Sequence, residues 1–195
     1  GRVDDEERWT KYKETLDTIL QEEGEKQSNV TVIEMASKLE AGLSQEVREV
    51  FEECRKHGSS DFTAEKFLEG AKRAYELVLN AMTQSDTKTL KKLLDGRIYD
   101  KFEAEIKRRK DGGQQFEVTL IGINIAEING GSLEKDVASI VVHFEVDQII
   151  MVKDKDGNLL QEGPSKIHHI KETWTFQKPL KSYTNVWVLS EIEKV

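Results

Sequence analysis

The chain is nearly without cysteine and proline, with one Cys and two Pro in 195 residues. A lone thiol, Cys54, excludes an intramolecular disulfide and any zinc site built on cysteine pairs. It suits a reducing compartment, and its place on an apolar helical stripe predicts buried packing. No apolar run approaches the ~18 residues that cross a bilayer as a helix. No signal peptide is visible. The chain starts at Gly1 rather than Met, so an anchor or targeting segment removed from its front is an open expectation. Positive charge is also short, with 29 Lys and Arg against 37 Asp and Glu and a net charge of -8. Such a chain repels phosphate, and a nucleic-acid partner is not expected. Attraction to anionic lipid is confined to local basic patches. Gly112-Gly113 lacks a following Lys-Ser/Thr, so there is no phosphate loop. There is no serine nucleophile elbow either.

The charge that is present is uneven. Residues 1–57 hold 15 acidic and 9 basic side chains, most of the net charge. Trp9, Tyr12, Leu16, Ile19 and Leu20 recur at helical spacing, so an amphipathic helix opens the chain. It could meet a membrane or partner, although its acid-rich polar face favours packing on its own chain or a second copy. Gly24 sits in a polar linker. Val32, Ile33, Ala36, Leu39 and Leu43 form a second stripe. Ser44 caps a third helix carrying Val47, Val50, Phe51 and Cys54, stopped by Gly58. Gly58-Ser59-Ser60-Asp61 reads as a boundary between a helical arm, 1–60, and a domain, 61–195.

Thr63 is the expected cap of a longer helix with Phe67, Ala71, Ala74, Tyr75, Val78 and Met82 on one face. Leu90, Leu93 and Leu94 mark a short helix ending at Asp95-Gly96. Ile98, Phe102 and Ile106 mark another, ending in Lys107-Arg108-Arg109-Lys110 before Gly112-Gly113, a basic last turn that suits the helix dipole. The period then falls to two. Ile121, Ile123 and Ile125 alternate, Gly130-Gly131 reads as a turn, and Ile140, Val142, Phe144 and Val146 alternate again. Ile149 to Val152 breaks the pattern, as a bulge would. Asp156-Gly157 signals a hairpin. Ile170, Trp174 and Phe176 share one face of the next strand, which Pro179 ends. Trp187 and Leu189 fall in the last. Helices followed by four hairpin-linked strands predict an α+β fold: a curved antiparallel sheet with helices on one face and a concave apolar pocket between the layers.

Chemistry-bearing residues are sparse. His168 and His169 are strand neighbours and point to opposite faces, so a metal site is not expected. No cofactor is called for. Glu172 shares a face with Ile170, Trp174 and Phe176. With His143 on the neighbouring strand it could form an acid–base pair in the pocket, an enzyme or small-molecule-binding alternative. The plainer reading makes Glu172 structural.

Several segments in order resemble one family. These are Phe67-Leu68-Glu69-Gly70-Ala71-Lys72 with Ala74-Tyr75, then Leu93-Leu94, then Ile98-Tyr99-Asp100-Lys101-Phe102. The hairpin Asp154-Lys155-Asp156-Gly157-Asn158, Glu162-Gly163-Pro164, Glu172-Thr173-Trp174-Thr175-Phe176 and Trp187 complete the set. Together they resemble the bacterial Tim44-like domains, akin to the C-terminal domain of the mitochondrial import translocase subunit. The resemblance implies a cystatin-like cone whose pocket draws on Phe67, Tyr75, Phe102, Phe144, Glu172, Trp174 and Phe176. It implies a noncatalytic adaptor at the bacterial inner membrane, possible in protein transport, with membrane lipids or membrane proteins as partners. Such a protein would be peripheral on the cytoplasmic side or held by a preceding anchor. Trp9, Tyr12, Leu16 and Lys107 to Lys110 (Lys107, Arg108, Arg109, Lys110) are the candidate membrane or partner contacts. Residues 1–60 could also carry homo-oligomerisation.

Overall fold

The computed structural model describes residues 38–160, 166–182 and 186–195. Each helix begins where a polar side chain takes up the first free amides. Helix α1, Gln45–His57, starts at Ser44, whose hydroxyl accepts from Val47 N at 3.3 Å. It buries Val47, Val50, Phe51 and Cys54 and stops at Gly58. Helix α2, Ala64–Thr83, starts at Thr63, which accepts from Lys66 N at 3.2 Å. Its buried stripe is Phe67, Ala71, Tyr75 and Val78, one residue per turn. Helix α3, Thr87–Leu93, is capped by Asp86. Helix α4, Gly96–Asp111, is capped by Asp95, whose carboxylate accepts from the amides of Arg97 and Ile98.

Four strands follow: β1, Gln115–Glu134; β2, Val137–Lys153; β3, His168–Pro179; and β4, Val188–Lys194. They form one antiparallel sheet in the order β1-β2-β3-β4. Strand β2 shows the period of two most plainly. Ala138, Ile140, Val142, Phe144, Val146 and Gln148 are buried and the residues between them are not. Register sets Ile140 opposite Phe176, Val142 opposite Trp174 and Phe144 opposite Glu172.

Two sequence expectations change here. Gly130-Gly131 is not a turn, because both glycines lie inside β1, opposite Val141 and Ile140. The turn is Lys135-Asp136, with left-handed φ of 50° and 63°. Gly131 instead permits close approach. A Cβ there would stand 3.0 Å from the Ser139 carbonyl oxygen and 3.4 Å from Val47 Cγ2 of α1. The bulge expected at Ile149 to Val152 is also elsewhere: β1 carries three register shifts, and β2 runs through. The Asp156-Gly157 turn is present. Gly157 has φ +83°, and the Asp154 carboxylate accepts from the amides of Asp156 and Asn158 at 2.9 Å.

The helices cover one face of the sheet, in the α+β arrangement the sequence predicts. Tyr75 stacks on Trp174 at 4.4 Å, and Phe67 meets Phe176 edge-on at 5.8 Å and Trp187 at 5.1 Å. The boundary at residue 61 does not divide two cores. Val47, Val50, Phe51 and Cys54 of α1 belong to the same apolar cluster as Phe67, Ile140 and Trp174. The expected helix with Trp9, Tyr12 and Leu16 lies outside the described residues.

Candidate functional site

Helix α4 bears mainly on the two edge strands, β1 and β4. It therefore bridges the helix-covered face of the sheet and leaves a hollow over β2 and β3. Ile98 and Ile106 anchor it, while Phe102 between them is only partly buried. The result is a groove of about 700 Å³. Its walls are Val78, Leu79 and Met82 of α2, Phe102 and Arg109 of α4, and Ile150, Val152, Ile170 and Ile192 of the strands. That size and lining are typical of a site that takes an apolar group with a few fixed polar contacts.

Glu105, Arg108, Gln114, Gln148, Glu172 and Lys194 also line it, and one hydrogen-bonded set joins it to the core. The Tyr75 hydroxyl donates to Glu172 Oε1 at 3.2 Å and accepts from Gln148 Nε2 at 2.7 Å. Trp174 Nε1 donates to the same carboxylate oxygen at 3.4 Å. Burial, and then the neighbouring Glu172 carboxylate, push the Tyr75 phenol far above its ordinary value of 10.0. The phenol stays neutral and acts as a donor.

Of the seven residues expected to line a pocket, Phe102, Glu172 and Trp174 do so. Tyr75 does not line it, but its hydroxyl bonds Glu172 and Gln148, which do. Phe67, Phe144 and Phe176 are packed in the core instead, because their face of the α2–sheet interface leaves no gap. Gln148 was not singled out in the sequence, yet it had a signal: it is the one polar side chain on the buried parity of β2.

The acid–base pair is not assembled. Glu172 lies opposite Phe144 on the helix-facing side, whereas His143 lies opposite Thr173 on the outer side of the sheet. His143 faces Glu145 there, at 3.8 Å. His169 is bonded to Asp147 on that same outer side. Among the described residues, no group of three or more His, Cys, Asp or Glu side chains is placed to hold a metal. Cys54 is buried in the core, and burial raises its thiol pKa.

The basic end of α4 divides in two. Lys107 and Lys110 are exposed. Arg108 and Arg109 both bond Glu105, at 2.7 Å and 2.9 Å. The hydrogen bond from Arg108 holds the Glu105 carboxyl below its usual range. The Arg109 guanidinium lies over the Phe116 ring, 3.6 Å from its centre, and so faces the groove. Among the described residues no helix is long and apolar enough to cross a membrane.

The family model for the Tim44-like domain matches residues 48–194. Its first residues fall inside α1, in keeping with the place of that helix in the core. The chain is 25% identical over 128 residues to the mitochondrial import inner membrane translocase subunit TIM44-1 of Arabidopsis thaliana, covering 66% of this chain and 27% of that protein. It is 27% identical over 137 residues to the uncharacterized protein RP434 of Rickettsia prowazekii (strain Madrid E), covering 69% of this chain and 54% of that one. The chain thus spans about a quarter and about half of the curated relatives it matches. Among solved structures, the intermembrane space region of the chloroplast protein ARC6 aligns with a TM-score of 0.48 at 11% identity, over 65% of this chain and 94% of that one.

Proposed function

This chain belongs to the Tim44-like domain family, and from that premise we propose that it is a membrane-associated adaptor in protein transport. The groove under α4 is its binding site for an apolar segment of a membrane-protein partner, and the exposed Lys107 and Lys110 face lipid headgroups. The observation that carries the reading is the groove itself: an open hollow of about 700 Å³ between two helices and a sheet, mostly apolar but also lined by Glu105, Arg108, Arg109, Glu172 and Lys194. The relation to a protein named as an import translocase subunit supplies the transport context. We place it at the bacterial inner membrane, peripheral on the cytoplasmic side. Residues 1–60 hold the candidate segment for homotypic contact. We read the domain as noncatalytic, since Tyr75 and Trp174 hold the Glu172 carboxylate in a structural network and His143 lies on the other face.

The test is site-specific photo-crosslinking in native membranes. A crosslinker at Leu79, in the groove, should capture a membrane protein, and one at Glu127, exposed on the outer face, should not. Capture from Glu127 alone would remove the groove from the account.

A further inference from the structure

A second cavity of about 330 Å³ lies beside the groove, where the C-terminal ends of α2 and α4 meet the start of β1. Arg109 stands between the two hollows and lines both. Its guanidinium is fixed on two sides: Nε bonds Glu105 at 2.9 Å, and the plane rests on Phe116. Its Nη1 is buried and makes no hydrogen bond among the described residues. Native proteins rarely leave a buried donor unmet, and a charged donor in a cavity wall is placed to take an acceptor that enters the cavity. Burial lowers the Arg109 pKa, in line with a guanidinium drawn out of water, though arginine stays charged.

The lining adds donors, against the negative C-terminal ends of α2 and α4. Lys110, Gln114 and Gln115 line the cavity and add one further cation and two side-chain amides. The last carbonyls of α4 do not compete for Arg109. Those of Arg108, Arg109 and Lys110 accept from the amides of Gly112, Gln114 and Gly113. Glu117 also lines the cavity. Arg109 and Lys110 against Glu117 leave the lining with one positive charge in excess.

We propose that this side pocket is an oxyanion site, taking a phosphate or carboxylate group with Arg109 Nη1 as its central donor. The side pocket shares Met82, Arg109, Gln114 and Phe116 with the groove, but it does not need the groove to hold a partner. Such a group could be a free anion or the headgroup of an anionic lipid, and the two sources are separable.

The test follows the backbone amides of Gln114, Gln115 and Phe116 by NMR in the whole chain. Inorganic phosphate is titrated against chloride at matched ionic strength. Vesicles of phosphatidylglycerol are compared with vesicles of phosphatidylcholine. Saturable shifts with phosphate assign a free oxyanion, and perturbation by phosphatidylglycerol vesicles alone assigns a headgroup. Arg109→Gln should lose affinity by about tenfold or more, as expected for one charge-assisted hydrogen bond. Lys110→Gln, at an exposed position, should weaken binding by a few-fold without disturbing the core. No response to either probe would overturn the proposal. So would unchanged binding in a folded Arg109→Gln, or, should that variant fail to fold, unchanged binding in Lys110→Gln.

Discussion

One oxygen joins the apolar core to the groove. The Tyr75 hydroxyl takes a hydrogen bond from Gln148, whose side chain is buried, and gives one to Glu172. Tyr75→Phe keeps the ring stack on Trp174 but strands the Gln148 donor. It should cost about 1–3 kcal/mol, the penalty of a buried polar group without a partner, read by urea unfolding. The same residue gives the fold an alkaline limit. Its folded pKa lies above the unfolded value near 10.0, so the native state holds the proton more tightly. That contribution is complete below about pH 10 and is lost as pH climbs through and beyond it. Stability should fall above pH 10 by up to about 1.4 kcal/mol per pH unit, and Tyr75→Phe should flatten the slope. At this scale strand parity put Glu172 and Trp174 on one face, and the family resemblance, not spacing, brought Tyr75 to them. Neither separated Phe102, which lines the groove, from Phe67, which is packed. Both sit on apolar helical stripes, and only the standoff of α4 from the sheet distinguishes them.

Elements were most legible where the cause is local. Ser44 and Thr63 begin their helices as expected, because a short polar side chain meets an amide three residues on, whereas Asp95, expected with Gly96 to end a helix, caps the start of α4. Gly130-Gly131 was expected as a turn, and only its tertiary neighbours, the Ser139 carbonyl and Val47, show a close approach instead. Gly131→Val should push α1 off the sheet and cost about 1–3 kcal/mol, as overpacking does, read by thermal or urea unfolding. At the true turn, Lys135 and Asp136 adopt left-handed backbone that costs L-residues about 1–2 kcal/mol each. Replacing them together, Lys135→Asn with Asp136→Gly, should stabilise the hairpin by about 0.5–1 kcal/mol, half or less of that strain. A fall in stability would mean that this hairpin geometry is wrong.

For the whole molecule, the core begins before the boundary that composition suggested. Gly58-Ser59-Ser60 looks like a linker, yet α1 on its far side fills the space above Gly131 and beside Phe67. A chain cut at residue 61 should therefore expose the apolar face of α2 and lose cooperative unfolding. A chain beginning at residue 38 should keep it. Light scattering of that longer piece against the whole chain tests homotypic contact through residues 1–37, with a lower mass per particle expected once they are gone. The central claim is that the groove under α4 works at a membrane. Flotation of the whole chain with inner-membrane vesicles, wild type against Leu79→Glu, tests it most directly. The account predicts that the wild type floats with the vesicles and that Leu79→Glu, folded by circular dichroism, stays behind. Wild type left in the dense fractions, or a variant that floats equally well, would contradict it.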